Sequence, residues 1–237
     1  MSLGAQATEL RAVLLDAVGT LLRLREPVGE SYARAARACG VDLPAWRIDD
    51  AFRRILAGAP PMVFPGEPPA RVRELERAWW NARVRETFKA TDQTVRFARF
   101  DDCADALFAF YATPAAWQPV PGAAGALIAL RGAGLRLAVA SNFDHRLPRI
   151  LEALDLLPFF ELVWGPAEAG AAKPEPAFFT RLLARLGLPG SAVVHVGDDP
   201  EQDVAAARRA GLRAISLAPP ATLADLPARV RALQEER

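Results

Sequence analysis

An aspartate ends the first apolar run of the chain, and the residues after it are suited to binding an anion. Asp16 follows the uncharged run 13–15 and precedes Gly19 and Thr20. Such a run is typical of a strand buried on both faces of a parallel sheet, and open α/β sheets bind ligands at the carboxyl ends of these strands. A carboxylate there can act as a nucleophile or a metal ligand. Gly19 permits a tight turn, and the Thr20 hydroxyl can donate to an anion.

Polar residues also follow three later apolar runs. In chain order they are Ser141, Asn142, Lys173, Asp198, Asp199 and Asp203. Because the carboxyl ends of parallel strands share one edge of the sheet, we expect these side chains to meet Asp16. Several carboxylates a few ångströms apart repel one another unless a cation lies among them, and oxygen ligands favour Mg²⁺. Lys173 would add a second positive charge, so the set indicates phosphoryl transfer to an aspartate.

Lysine usage supports the same site. The chain has 29 basic residues, of which only Lys89 and Lys173 are lysines. Where arginine is used almost everywhere, a retained lysine indicates a need for a compact point charge. We therefore interpret Lys173 as a site residue, the alternative being an ordinary surface lysine.

Strand and helix patterns alternate from residue 117 onward. Mostly apolar segments of strand length lie at 135–140, 161–164, 192–196 and 214–217. Together with the first strand, this order predicts an α/β fold with a doubly wound, Rossmann-like parallel sheet and helices on both faces. The predicted core domain comprises residues 1–22 and 117–237, with residues 1–6 as a loose tail.

Residues 23–116 are predicted to form an all-helical insert. Helical patterns cover 29–39, 48–57, 70–88 and 101–111. An insert at the carboxyl end of a strand lies over the ligand crevice, so we interpret it as a cap. Trp79, Trp80 and Phe64 are expected to pack in the core of this domain, with a pocket-lining role as the alternative.

Composition restricts the partners. The net charge is +1, so the chain lacks the basic footprint of a nucleic-acid-binding protein. No apolar run has the length of a membrane span, and no signal-peptide pattern opens the chain. We therefore expect a cytoplasmic monomer or homodimer that acts on a small molecule. Cys39 and Cys103 are predicted to be buried thiols rather than a disulfide.

The sequence also predicts the structural environment of three further residues. His195, inside an apolar strand, is predicted to be a hydrogen-bonded core residue, whereas His145 is expected to be exposed. Asp144 is predicted to cap a helix that extends to residue 154.

In these motifs and their order, the chain resembles the haloacid dehalogenase (HAD) superfamily with a helical cap after the first motif. Residues 16–20 are similar to its first motif, Ser141 to the second, Lys173 to the third and residues 197–203 to the fourth. The resemblance covers nearly the whole chain. Residues 23–40 and 141–144 also resemble the branch called haloacid dehalogenase-like hydrolase domain-containing proteins.

The resemblance implies a set of Mg²⁺ ligands. Asp16 would be both nucleophile and ligand, and Val18 would give its backbone carbonyl. Asp198 would be a second carboxylate ligand, with Asp199 or Asp203 acting directly or through water. Helix capping is the open alternative for Asp199.

The resemblance also implies residues that hold the substrate. Thr20, Ser141 and Asn142 would bind the phosphate of a small organic phosphate ester. Lys173 would bind it too, and would neutralise charge between nucleophile and substrate.

Val18 departs from the family pattern. Family phosphatases usually carry a second aspartate at this position, which acts as general acid and base. General acid–base catalysis typically raises the rate by ~10²–10⁴-fold. Family dehalogenases carry an aromatic residue there and need no metal. We predict a phosphatase-like hydrolase that forms an aspartyl-phosphate on Asp16 and is either slow or limited to leaving groups that need little protonation. A 2-haloacid dehalogenase forming an aspartyl ester and a weakly active binding or scaffold protein remain as alternatives.

Overall fold

The computed structural model describes residues 9–235 and is built on a parallel sheet. The expected tail, residues 1–6, lies outside the described residues. The strands are β1 (Ala12–Leu15), β2 (Leu22–Leu24), β3 (Trp117–Pro119), β4 (Arg136–Ala140), β5 (Leu162–Trp164), β6 (Val193–Gly197) and β7 (Arg213–Ser216). Strands β1 and β4 to β7 form the five-stranded sheet in the order β5-β4-β1-β6-β7. All of its ladders are parallel, which confirms the predicted α/β class.

Helices flank the sheet and fill the insert. They are α1 (Val28–Ala38), α2 (Ala45–Ala57), α3 (Pro69–Thr91), α4 (Phe100–Phe110), α5 (Ala123–Gly132), α6 (Leu147–Ala153), α7 (Pro166–Ala169), α8 (Pro176–Leu186), α9 (Ala206–Arg209) and α10 (Leu226–Glu235). A π-helical turn, Pro200–Ala205, precedes α9.

Side chains of the central strand alternate between two hydrophobic cores. Val13 and Leu15 of β1 pack with α5, α6 and α10, whereas Ala12 and Leu14 pack with α8 and α9 on the opposite face. The strand is fully buried, as expected for a central parallel strand between two layers of helices. Its carboxyl end therefore has a rigid position between β4 and β6.

Helices α1 to α4, which we call the helical cap, have a hydrophobic core of their own around Tyr32, Phe88 and Cys103. The prediction that residues 23–116 contain no strand is wrong at their amino-terminal end. Strands β2 and β3 pair antiparallel where the chain leaves and re-enters the sheet domain, with Leu24 opposite Trp117. Each has three residues and a partner far along the chain, so no local pattern reveals them. We retain residues 23–116 as the proposed extent of the cap domain.

Several smaller expectations can be compared with the structure. Cys39 and Cys103 are free thiols, as predicted, with Cys103 buried and Cys39 partly buried. Burial, with a contribution from the neighbouring Cys39, raises the pKa of Cys103 to about 12. Among the described residues, none of the helices combines the length and hydropathy needed to cross a bilayer.

Candidate active site

The turn after β1 brings two acidic segments together. The backbone N–H of Asp16 donates to the Val196 carbonyl at 2.9 Å, which fixes the end of β1 against β6. Gly19 has a φ of 93°, and a Cβ atom there would lie 2.3 Å from Asp198 Oδ2. A Cβ atom on Gly197 would lie 2.2 Å from the Asp203 carboxyl carbon. Both glycines are therefore required for the close approach of the carboxylates.

Lys173 lies between two of these carboxylates. Its Nζ donates to Asp16 Oδ1 at 2.7 Å and to Asp203 Oδ1 at 2.5 Å, and all three side chains are buried. The third acidic residue is Asp198, and the carboxylate oxygens of Asp16, Asp198 and Asp203 lie within 4.8 Å of one another. The strand ends thus bring together the acidic residues and the lysine.

The pKa values in this cluster reflect burial and charge. Burial raises the pKa of Asp16, although Lys173 opposes the change. The pKa of Asp198 is also raised, first by burial and then by the charges of Asp16 and Asp203. Burial disfavours charged Lys173, but the two carboxylates outweigh burial and raise its pKa above the usual value. Lys173 is therefore an ammonium at neutral pH.

His195 supports the cluster from inside the core. The fully buried ring donates from Nε2 to Asp203 Oδ1 at 3.0 Å and packs edge-on against Phe179. Burial lowers the pKa of His195, so it is neutral. Burial acts to raise the pKa of Asp203, but the hydrogen bond from His195 and the charge of Lys173 hold it well below its usual range. The prediction of a hydrogen-bonded core histidine is confirmed.

Asn142 holds the backbone of the lysine. Its Nδ2 donates to the Lys173 carbonyl at 2.8 Å, and its Oδ1 accepts the Lys173 N–H at 2.9 Å. The same Nδ2 donates to Gln202 Oε1 at 2.8 Å, and Gln202 Nε2 donates to Asp199 at 3.2 Å. The segment after β4 is thereby connected to the lysine and to the turn after β6.

The other predicted site residues differ in position. Ser141 and Val18 line the same cavity as Asp16, and Val18 is 39% exposed. Thr20 is fully buried, and its hydroxyl donates to Asp198 Oδ1 at 3.3 Å. Asp199 accepts hydrogen bonds from the backbone N–H groups of Glu201 and Gln202, so it caps the π-helical turn. The capping alternative for Asp199 is thus observed.

The cavity extends from the acidic cluster into the helical cap and has a volume of about 630 Å³. Trp79 and Trp80 on α3 are partly exposed and line it, so the expectation that they pack in the cap core is wrong. Their neighbours explain the difference. Trp79 donates to the Pro60 carbonyl in a proline-rich loop that forms part of the wall, and Trp80 faces the sheet domain.

A buried ion pair joins the sheet domain to the cap. Arg146 donates from Nε and Nη2 to the two oxygens of Asp144 at 2.8 and 2.5 Å. Trp80 Nε1 donates to Asp144 Oδ2 at 2.7 Å, and Arg146 Nη1 donates to the Phe108 carbonyl at 3.0 Å. Helix α6 begins at Leu147, and Arg146, directly before it, makes no side-chain capping bond. Asp144 Oδ1 accepts the backbone N–H of Arg146 at 3.0 Å and the Asp144 carbonyl accepts that of Leu147 at 3.1 Å, so the predicted capping contact is made at the turn that leads into the helix. The same carboxylate also binds the Arg146 guanidinium and Trp80 of the helical cap.

A second contact across the same boundary involves Glu76 and His145. Glu76 lies on α3, is 1% exposed and pairs with the partly exposed imidazole of His145. Burial raises the pKa of Glu76. Sequence reasoning did not identify this pair or the contacts of Asp144, Arg146 and Trp80. The polar composition of 141–146 is the one signal that marks the segment.

A buried carboxylate beside a buried ammonium, at one end of a cavity covered by helices, is suited to nucleophilic chemistry on an anionic substrate. The sequence model of the haloacid dehalogenase-like hydrolase family matches residues 10–211. The chain belongs to this family.

Relatives and solved structures agree with this assignment. The chain is 34% identical over 204 residues to haloacid dehalogenase-like hydrolase domain-containing protein 3 of Danio rerio, covering 86% of this chain and 83% of that protein. It is 25% identical to a HAD phosphatase from Thermococcus onnurineus, with a TM-score of 0.57 over 88% of this chain and 86% of that one. A 2-haloacid dehalogenase from Pseudomonas syringae, 23% identical, has the same fold, with a TM-score of 0.61 over 94% and 98% of the two chains.

Proposed function

We propose that this protein is an Mg²⁺-dependent phosphohydrolase that forms an aspartyl-phosphate on Asp16. The observation that carries the proposal is the Lys173 ammonium between Asp16 and Asp203, at the polar end of a cavity that can hold an organic molecule. Attack on a phosphate ester requires a carboxylate in a fixed position, with positive charge beside the negative phosphoryl oxygens.

The donor atoms fit a divalent cation. The carboxylates of Asp16, Asp198 and Asp203 are close enough to share one ion, and with the Lys173 ammonium they leave two uncompensated negative charges. An all-oxygen set favours Mg²⁺ over softer metals. Bound Mg²⁺ would neutralise charge on the transferring phosphoryl group. The backbone carbonyl of Val18 is proposed as a further ligand.

The other catalytic and positioning roles are assigned to residues of the chain. Asp16 attacks phosphorus, and water later hydrolyses the aspartyl-phosphate to release phosphate and regenerate the carboxylate. Lys173 neutralises charge between Asp16 and the phosphate, and Ser141 donates to a phosphoryl oxygen from the cavity wall. Asn142 fixes Lys173 through its backbone. Thr20 orients Asp198.

A dehalogenase reaction is the second candidate, because Asp16 could attack carbon and Val18 supplies no proton. The charge of the site disfavours it. A reaction without metal leaves the surplus negative charge of the acidic cluster uncompensated at a carboxylate-bearing substrate. Chloride release from 2-chloropropionate in the presence of EDTA would establish this candidate instead.

The proposal is tested by measuring phosphate release from a panel of phosphate esters with Mg²⁺ and with EDTA. We expect turnover with Mg²⁺ and none with EDTA. Asp16→Asn should abolish it, and the control Asp42→Asn, at an exposed position of the cap, should not. Beryllofluoride with Mg²⁺ should raise the melting temperature of the wild type but not of Asp16→Asn. Equal turnover by the wild type and Asp16→Asn would refute the proposal.

A further inference from the structure

The cavity has two chemically different ends. At one end lie Asp16, Ser141 and Lys173, where the phosphate is proposed to bind. At the other end the helical cap supplies apolar side chains, among them Phe52, Leu56, Met62, Trp79, Val84 and Leu107. A substrate that fills the cavity therefore places its phosphate in the first environment and its leaving group in the second.

The cap contributes no charged side chain to this end, and the guanidinium of Arg146, which lines the cavity from the sheet domain beside Trp80 and Phe108, is already paired with Asp144. Between residues 28 and 111, a stretch that lies entirely within the described part of the chain, the residues that line the cavity include no ionised side chain. Its polar side chains are Tyr32, Asn81 and Tyr111, and the Tyr111 hydroxyl already pairs with Ser31 at 2.6 Å. Burial of an unpaired carboxylate or ammonium there would cost several kcal/mol, of the order found for effective desolvation of an ion. The leaving group should therefore be uncharged and mostly apolar.

The shape of this end favours an aromatic group. Trp79 and Trp80 lie edge-to-face with their ring centroids 4.9 Å apart, and both rings line the cavity. Aromatic faces and edges bind other aromatic rings in defined geometries. A volume of about 630 Å³ lies within the range of pockets that enclose drug-sized molecules, so it exceeds the needs of a two- or three-carbon leaving group.

Val18 limits the chemistry of the leaving group. Its side chain lines the cavity two residues after Asp16 and has no proton to give. Asp16 and Asp203, which also line the cavity, are bonded to Lys173, and Asp199 caps a helical turn. Asp198, the fourth carboxylate of the lining, accepts the Thr20 hydroxyl and is assigned to the proposed Mg²⁺, which requires its ionised form. A leaving oxygen without a proton donor departs as an anion. A phenolic hydroxyl like that of tyrosine has a pKa of about 10, whereas water, the analogue of an aliphatic alcohol, has about 15.7.

We propose that the substrate of this site is a phosphate monoester of an uncharged aromatic alcohol, an inference that rests on the proposed function. An Asp16 oxygen bonds to phosphorus, the bond between phosphorus and the aryl oxygen breaks, and the aryl oxide leaves with the electron pair and takes a proton from water. Hydrolysis of the aspartyl-phosphate then yields inorganic phosphate.

The test compares four substrates with Mg²⁺. These are 1-naphthyl phosphate, 2-(1-naphthyl)ethyl phosphate, glycerol 3-phosphate and acetyl phosphate. We expect kcat/KM for 1-naphthyl phosphate to exceed that for glycerol 3-phosphate by ~100-fold or more, and the naphthylethyl ester, with an alkoxide leaving group, to be turned over ~100-fold more slowly than the aryl ester. Val18→Asp should raise turnover of the naphthylethyl ester more than that of the aryl ester.

Two cap variants test where the ring binds. Leu56→Arg places a charge in the cavity wall and should lower kcat/KM for 1-naphthyl phosphate at least ~10-fold relative to acetyl phosphate. Trp46→Arg, on the same helix but 71% exposed and outside the cavity, should leave this ratio unchanged. Binding to Asp16→Asn, measured by calorimetry, should be ~10-fold or more tighter for 1-naphthyl phosphate than for glycerol 3-phosphate.

The outcomes separate the two proposals. If acetyl phosphate is hydrolysed with Mg²⁺ but glycerol 3-phosphate matches 1-naphthyl phosphate in kcat/KM, the aromatic substrate is refuted and the phosphohydrolase stands. If none of the esters is hydrolysed, the phosphohydrolase fails. In that case the substrate inference fails with it, and the calorimetric comparison decides only whether the cavity prefers an aromatic ester, which equal binding of the two esters would refute.

Discussion

The Asn142 side chain holds Lys173 by its backbone, accepting the lysine N–H at 2.9 Å and donating to its carbonyl at 2.8 Å. The ammonium can reach Asp16 and Asp203 together because its main chain is fixed in this way. Asn142→Ala should therefore lower kcat/KM by ~10–100-fold, since a misplacement of about 1 Å can cost ~100-fold. Gln202→Ala, which leaves both bonds to Lys173 intact, should have a much smaller effect. Equal losses would mean that Asn142 acts through Gln202 instead.

Replacement of Lys173 by methionine leaves Asp16 and Asp203 buried without their cation. We expect a loss of ~3–5 kcal/mol in the free energy of unfolding, measured by urea denaturation in EDTA. Mg²⁺ should restore more stability to this variant than it adds to the wild type, because it supplies the missing charge. Lys89→Met, at the exposed second lysine, is the matched control and should be close to the wild type. Wild-type stability of Lys173→Met would contradict the proposed charge balance.

Gly40 is a matched control for Gly19, because its backbone conformation is similar but the space around it is free. Gly19 and Gly40 have φ values of 93° and 81°, but a Cβ atom meets Asp198 only at Gly19 and nothing within 4 Å at Gly40. Each alanine variant should lose ~1 kcal/mol of stability from backbone strain. Only Gly19→Ala should also weaken Mg²⁺ binding, measured by calorimetry, because Asp198 must move. Unchanged Mg²⁺ affinity in Gly19→Ala would argue against Asp198 as a ligand.

The lowered pKa of His195 determines how this residue makes the free energy of unfolding depend on pH. Its pKa is lowered in the folded state, so below about pH 6.5 the unfolded chain binds a proton that the folded chain excludes, and acid destabilises the fold through this residue. His195→Gln should be less stable than the wild type at pH 7.5, from the lost packing and hydrogen bond to Asp203. The difference in the free energy of unfolding between the wild type and His195→Gln should decrease by up to ~1.4 kcal/mol between pH 6.5 and 5.5. Urea denaturation in EDTA at several pH values measures this difference. A stability difference that increases in acid would contradict the lowered pKa of His195.

Trp80 and Asp144 give contrasting predictions at the boundary with the cap. Trp80→Phe removes one hydrogen bond but leaves Asp144 paired with Arg146, so it should cost ~1 kcal/mol. Asp144→Asn leaves the buried guanidinium of Arg146 without its counter-charge and should cost ~3–5 kcal/mol. Thermal and urea denaturation of both variants test which one loses more stability. A larger loss of stability in Trp80→Phe than in Asp144→Asn would contradict the importance given to the ion pair.

The clustering of the acidic residues and the lysine was predictable because it depends on strand ends. Asp16, Lys173 and Asp198 each follow an apolar run, and parallel topology alone brings such positions to one edge. The contacts of Asn142 and the pair of Glu76 with His145 were not predictable, because they depend on side-chain directions between segments far apart in sequence. The roles of Trp79 and Trp80 were misjudged for a related reason: periodicity shows which residues share a helix face, but not whether that face meets protein or a cavity.

The segment 141–146 has contacts in two directions within six residues. Its first half holds the backbone of Lys173 through Asn142, and its second half binds α3 and α4 of the cap through Asp144 and Arg146. A displacement of the cap that keeps the hydrogen bonds of Asp144 and Arg146 to α3 and α4 would also move the short stretch of backbone that holds Lys173. We therefore expect opening of the cavity and withdrawal of the Lys173 ammonium from Asp16 to be coupled.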